Sequence, residues 1–358
     1  MNAATAAAPR AAHTPSLRRR VPRGARPAWW VVAGGAAVPF LAASLWQDRF
    51  TSTILAAAAL QALFAVSWVL LIASGQPSLG HALPYGAGAY AAALVARGIP
   101  LESINAGGMI PALLTAAAAL AGACTGGLQG RLTRRLSAPF LAAVTLATVE
   151  AAHGLATMWT APVLRGANEG DTAILLAQFP AGARAQTWLA AAAMATGVFC
   201  VAAAMRSRAG VALRAAAGDD RRAAALGFTG PRLRVLAFVA SGAIAGIAGA
   251  LAAQLAGRVT PGVFSWHASL FVAVAALFGG PLSVAGPALA GYFIAALTQL
   301  AEVPAVVQLL AFAGALFAAA VFDPRHVLTP SFGSSRTAPD RTVVARTSSA
   351  PAPRRPAR

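Results

Sequence analysis

Residues 53–73 read TILAAAALQALFAVSWVLLIA, 21 residues without a charged side chain. A helix needs ~20 apolar residues to cross the hydrocarbon core of a bilayer. In lipid the backbone N–H and C=O groups have no water to bond, so an isolated run of this kind is stable there only as a helix. The pattern repeats in both directions along the chain. Ten apolar segments result: 29–46, 53–73, 79–96, 109–128, 139–159, 188–205, 235–256, 266–279, 282–300 and 303–321. Whole-chain composition agrees, with 58% hydrophobic and 11% charged residues over 358 positions and a mean hydropathy of +0.66. Soluble domains carry about 25% charged residues. The expected fold is an all-α polytopic membrane protein with about ten transmembrane or half-spanning helices.

Two segments depart from the regular pattern. The eighth has 14 residues and suits a half-helix, and the third carries Pro84 and three glycines and suits a broken or re-entrant element. Interrupted helices at membrane depth are tolerated only against protein or a wet cavity, which makes both candidates for a solute path.

The ends read differently. Residues 1–28 hold six Arg, four Pro and no acid, and residues 324–358 hold seven Arg against the single acid Asp340. Neither stretch has the apolar content to form a core. The expected organisation is a disordered basic cytoplasmic arm over 1–28, a transmembrane domain over 29–323 and a disordered basic cytoplasmic tail over 324–358. An Arg-rich start also suits a mitochondrial transit peptide, although nothing amphipathic is evident in it.

The net charge of +18 rests on 28 Arg and no Lys. Without Lys there is no P-loop lysine and hence no Walker-type ATP site in this chain. Schiff-base chemistry on Lys is excluded for the same reason. Cytoplasmic loops of membrane proteins retain basic residues. With both termini cytoplasmic, the inner side collects 23 of the 28 Arg, and Arg49, Arg97, Arg165, Arg184 and Arg258 stay outside. The charge is therefore a topology signal with some attraction for anionic lipid, and nucleic-acid binding is a poor account of it. Cys124 and Cys200 lie in apolar segments with no His or Cys at ligand spacing, so neither a disulfide nor a metal site is expected.

Glu150 is the one formally charged side chain inside any of the ten segments, and His153 follows one turn later on the same helix. A carboxylate at mid-span costs about 2.5 to 3.5 kcal/mol on insertion scales. It suits either the solute path or a hydrogen bond bracing two helices, with His153 placed to satisfy it or to relay a proton. Gln76, Ser78, His81, Tyr85 and Tyr90 place polar groups around the third segment. Such groups can meet the carboxylate and ammonium of a zwitterion, and they can equally cap a helix or pack. Gly242, Gly246 and Gly249 form a small-residue stripe that reads as tight helix packing.

The longest inner loop, 206–234, contains Asp219 and Asp220, which suit a helix start, and Gly227, which suits a stop, with Ala223 to Leu226 as one turn between. By composition it is an amphipathic surface helix lying on headgroups. Its wording suggests more: RAGVALR at 208–214, DRRAAALG at 220–227 and LAFVASGAIAGIAGAL at 236–251. Together with GQPSLGHA at 75–82, GAGAY at 86–90, FLAAVTLATVE at 140–150 and GGPLSVAGP at 279–287, these blocks resemble the permease family of branched-chain amino-acid ABC importers, the M-type permease in particular. The resemblance runs in family order from about residue 60 to 325. Departures occur at 218–222, where the acidic pair is GDDRR, at 137–140, SAPF, and at 165–170, RGANEG; the outer and pre-segment changes bear on which solute is carried.

The resemblance implies a bacterial inner-membrane transport subunit that is not itself an enzyme and holds no cofactor, ATP being bound by a partner. Implied partners are a second permease subunit, two ATP-binding cassette ATPases and an extracytoplasmic solute-binding protein. A short cytoplasmic coupling helix would dock into the ATPase through Asp219, Asp220, Arg221, Arg222, Ala223, Ala224, Ala225, Leu226 and Gly227. Gln76, Ser78, His81, Tyr85, Glu150 and His153 are the candidates for the solute path. The expected cargo is a branched-chain or other hydrophobic amino acid. The alternatives are urea or an amide carried by a permease of the same family, or a stand-alone secondary transporter, which would leave 219–227 without a purpose.

Overall fold

A computed structural model describes residues 29–45, 48–97, 109–136, 138–163, 174–175, 182–218, 220–280, 283–304, 306–308 and 310–314. The two basic ends of the chain and Asp219 lie outside the described residues. The helices are α1 (Trp29–Leu45), α2 (Arg49–Ala73), α3 (Ala82–Arg97), α4 (Met109–Thr133), α5 (Ala138–Val163), α6 (Ala183–Arg206), α7 (Arg208–Gly218), α8 (Asp220–Ala225), α9 (Gly230–Ala256), α10 (Trp266–Gly279) and α11 (Ala285–Leu300). Residues 306–308 and 310–314 are helical as well, within the tenth apolar segment. The protein is thus an all-α, multi-pass membrane protein, with five helices long and apolar enough to cross a bilayer among the described residues.

The second segment becomes the hub because it is apolar on every side, which in a helix means burial all round. Asp48 starts it, accepting a hydrogen bond from the Thr51 backbone N–H at 2.8 Å. Bonding from Thr51 holds the Asp48 carboxyl below its ordinary range. From there α2 packs against α6, α9, α10 and α11. Helix α9 is the second hub and packs against α2, α3 and α4. Its glycines explain how closely. A Cβ on Gly242 would strike the Gly122 carbonyl, one on Gly246 the Ala118 carbonyl, and one on Gly88 the backbone of Gly246. Three helices therefore meet backbone to backbone, the arrangement small residues permit in membranes.

Helices α4 and α5 are peripheral. Leu113, Leu120, Leu128 and Leu132 of α4 and Phe140, Val144, Leu155 and Met158 of α5 are exposed on the chain's outer face. In a bilayer such a face meets lipid or another subunit.

The two departures in segment pattern have distinct outcomes. Segment 79–96 is not interrupted inside: α3 begins at Ala82, so Pro84 falls in its first turn, where a missing N–H costs no helical bond. The irregular part is the buried stretch before it. Helix α10 has 14 residues, about 21 Å at 1.5 Å per residue, which is short of a ~30 Å core. A Cβ on Gly279 at its end would strike the Gly286 backbone, so the end of α10 lies directly against the start of α11.

The molecule has two distinguishable ends. At one, the end of α2, the turn after α4, the end of α7 and the starts of α8 and α9 converge, bringing Arg134, Arg135 and Arg234 around one cleft. At the other, Thr187 donates to the Ser52 carbonyl at 2.8 Å. There β1 (Ile174–Leu175) also pairs antiparallel with β2 (Arg258–Val259).

Candidate functional site

The stretch between α2 and α3 is the most heavily braced part of the chain. Gln76, Ser78 and His81 are each buried, at 4%, 1% and 1% exposure. Because residues 76–81 are not helical, their backbone groups need partners from elsewhere, and four helices supply them. Trp68 of α2 donates its indole N–H to the Ser78 carbonyl at 2.7 Å. The Leu79 N–H donates to Thr145 Oγ1 of α5 at 3.2 Å. Gln129 of α4 donates to the Gly80 carbonyl at 3.4 Å and to Thr148 Oγ1 at 3.0 Å. The Ala82 N–H donates to Ser269 Oγ of α10 at 3.1 Å.

His81 ties the two hub helices together. Its Nε2 lies 2.6 Å from Ser67 Oγ of α2 and 3.4 Å from Ser241 Oγ of α9. Ser67 Oγ spends its proton on the Phe64 carbonyl at 2.6 Å, and Ser241 Oγ spends its own on the Ser67 carbonyl at 2.7 Å. Nε2 is then the donor to Ser67 Oγ. The ring also stacks on Phe64, 5.2 Å between centroids and 5° between planes. Tyr85 packs against Phe64 as well, 4.5 Å between ring centroids. Ser78 Oγ accepts from the Gly80 N–H at 3.1 Å. The polar side chains of this turn are thus consumed in bracing, with one exception. Gln76 keeps an amide oxygen that is buried and accepts nothing, and it lines the cleft beside Arg134 and Arg135.

Glu150 and His153 part company. Glu150 is exposed on the outer face of α5 and has no partner among the described residues. His153 turns the other way: its Nδ1 lies 3.0 Å from the Pro261 carbonyl, in the 3-10 turn Pro261–Phe264 that precedes α10. A carbonyl only accepts, so Nδ1 carries the proton and is not shared with Glu150. Tyr90 stacks on Phe264 of the same turn at 5.4 Å.

The 206–234 connection folds as α7 and α8. Helix α8 stops at Gly227, whose φ of +81° is a left-handed conformation. The Gly227 N–H bonds the Ala224 carbonyl and the Phe228 N–H bonds the Ala223 carbonyl, at 2.9 and 3.0 Å, the paired pattern of a glycine-terminated helix. Ala223 is buried, whereas Asp220, Arg221, Ala224, Ala225, Leu226 and Gly227 are exposed. The helix is rooted by Asp220, whose Oδ1 lies 2.8 Å from Nη2 of Arg234 in α9. Arg214 of α7 donates to the Met205 carbonyl at 2.7 Å, and its half-burial lowers the guanidinium pKa from the ordinary value. Among the described residues no His, Cys, Asp or Glu cluster suits a metal ion.

Sequence reasoning missed Ser67, Gln129, Thr145, Ser241 and Ser269. Each is an uncharged polar residue in or beside an apolar run, and nothing in one run points to its partner in another. The local signal was weak: Thr145 and Thr148 recur at helical spacing in α5, and Gln129 follows directly on the fourth segment.

The helices, the glycine-welded hub and the braced turn define a multi-pass permease-like membrane protein. Residues 50–321 match the family model of the branched-chain amino acid transport system permease component. The chain belongs to that family. No curated protein and no solved structure matches it.

Proposed function

We propose that this chain is the membrane-spanning subunit of an importer that moves branched-chain or other hydrophobic amino acids inward, driven by ATP hydrolysed on separate ATPase subunits. The observation that carries the reading is α8. It is a six-residue helix, held at its root by Asp220 and Arg234 and presenting an exposed face of small residues that ends in a glycine stop. In an ATP-driven importer, a chain with no P-loop lysine receives its energy through a protein contact. A small-residue knob fixed to hub helix α9 would transmit a push to the helices around it. Co-purification tests the reading: the tagged chain is expected to bring down a stoichiometric ATPase and a second permease. Recovery of the folded chain alone under mild detergent would favour a stand-alone carrier.

The Arg distribution gives the orientation, with the α7–α8 end and both termini cytoplasmic and the 161–187 loop outside. The check is cysteine labelling after both exposed native cysteines are replaced by Ala. A membrane-impermeant reagent is expected to reach Ala167→Cys in intact cells and Ser16→Cys only once the membrane is opened. The reverse order would refute the orientation.

Glu150 stands halfway along α5, exposed and without a partner among the described residues. An uncompensated charge at that depth is costly, so its place in the assembly is against the solute path or the second permease. Glu150→Gln keeps hydrogen-bonding capacity and removes the charge. The expected outcome is normal complex yield with uptake reduced about tenfold, the scale of one charge-assisted hydrogen bond. Normal uptake at normal yield would take Glu150 out of the path.

A further inference from the structure

The cleft at the Arg-rich end has a volume of about 440 Å³, within the range of small-molecule sites. Its walls come from separate parts of the chain: Gln76 after α2, Arg134 and Arg135 after α4, Asp220 of α8 and Arg234 of α9. The charges of the described residues are not balanced. Asp220 and Arg234 neutralise each other at 2.8 Å, whereas Arg134 and Arg135 are exposed and have no partner among the described residues. Among the described residues two guanidinium groups thus lack an anion, and Arg is suited to paired hydrogen bonds with a planar carboxylate.

Gln76 adds the complementary requirement. Its side chain is 4% exposed, and its Oε1 is buried without a donor, a condition that native structures avoid unless a ligand or water completes it. Ser78 and His81, its neighbours in the same turn, are already bonded within the fold. The cleft therefore offers donors for an anion and, just behind its wall, one unfilled acceptor that a turn of the Gln76 side chain presents to a cationic or N–H donor. A bare phosphate satisfies the first requirement, and a zwitterion satisfies both.

We propose that this cleft is a binding site for the free α-amino acid on the Arg-rich side of the membrane, its carboxylate on Arg134 and Arg135 and its ammonium on Gln76 Oε1. The proposal rests on the transport reading above and adds a site on the side where solute is released. Because Asp220 and Arg234 form one wall of the cleft as well as the root of α8, a bound amino acid sits directly beside the segment assigned to ATPase contact.

The test uses the assembled complex in nanodiscs, without ATP and without solute-binding protein, and titrates leucine, isoleucine and valine by saturation-transfer NMR. Binding is expected for the amino acids and not for leucinamide, which lacks the carboxylate. Arg134→Ala combined with Arg135→Ala is expected to weaken it about tenfold, the scale of a charge-assisted bond, and Gln76→Leu to weaken it separately. Complex yield checks folding of each variant. Unchanged binding in the double Arg variant, or equal competition by leucinamide, would overturn the proposal. Displacement by inorganic phosphate, or loss of amino-acid binding in nanodiscs containing phosphatidylglycerol, would instead give the cleft to phosphate or to lipid headgroups. Uptake by the same complex reconstituted in proteoliposomes, with ATP and solute-binding protein supplied, separates the two readings. Uptake of leucine without carboxylate-dependent binding overturns the cleft assignment alone, whereas no uptake of any of the three overturns the transport reading and this site with it.

Discussion

Ala224→Glu is expected to abolish solute-stimulated uptake and to strip the ATPase from the complex while the chain still inserts and folds. Ala224 is exposed, so a longer side chain has room in the isolated protein and the fold has no reason to change. In a protein interface the same carboxylate would be desolvated without a partner, a cost of several kcal/mol that a docked helix cannot absorb. Gly227→Val is expected to reach the same end by a different route. At φ +81° a β-branched residue is strained, so the stop of α8 would unwind and the knob would lose its shape. The measurements are uptake in proteoliposomes and ATPase retained on the tagged chain. Full uptake by Ala224→Glu would return 206–234 to a helix resting on headgroups.

Gly246→Val is expected to eliminate recoverable folded protein, an effect located in the fold rather than in coupling. A Cβ at this position meets the Ala118 carbonyl and the Gly122 Cα, and the Gly88 position presses on Gly246 from the opposite helix. Nothing there is the movable end of a side chain. Relief requires α3, α4 and α9 to separate along their contact, and overpacking of this kind costs about 1 to 3 kcal/mol or more even where atoms can shift. Gly34→Val is the matched control, since its Cβ would point into open space. Monodisperse yield in mild detergent reads both variants. Equal yields would mean that the three-helix contact is looser than the structure places it.

The contrast between these glycines shows where sequence reading stops. Gly34 and Gly246 both sit in apolar runs next to other small residues, and only the neighbouring helix decides which one is indispensable. The same holds for the histidines. The spacing of Glu150 and His153 put them one turn apart on α5, which invited a shared proton. His153 instead faces the 3-10 turn before α10, more than a hundred residues away along the chain. Of the six candidates for the solute path, Ser78 and His81 are bonded within the fold and Tyr85 is packed against Phe64. Gln76 alone among the three residues of the braced turn keeps an open acceptor.

The sequence by itself determined the class of the protein. Uninterrupted apolar length, the near absence of charge within it and the loss of water as a backbone partner leave helices as the one outcome in lipid. Its Arg-rich loops and its blocks of family wording, several of them in loops and turns, were equally local and equally legible. Only the tertiary structure decided which polar groups are spent. A serine, a threonine or a glutamine in an apolar helix carries the same signal whether it braces a distant turn or faces a cleft. The difference lies in hydrogen-bond partners contributed by other helices, and a buried polar group acquires its role only when those partners are in place.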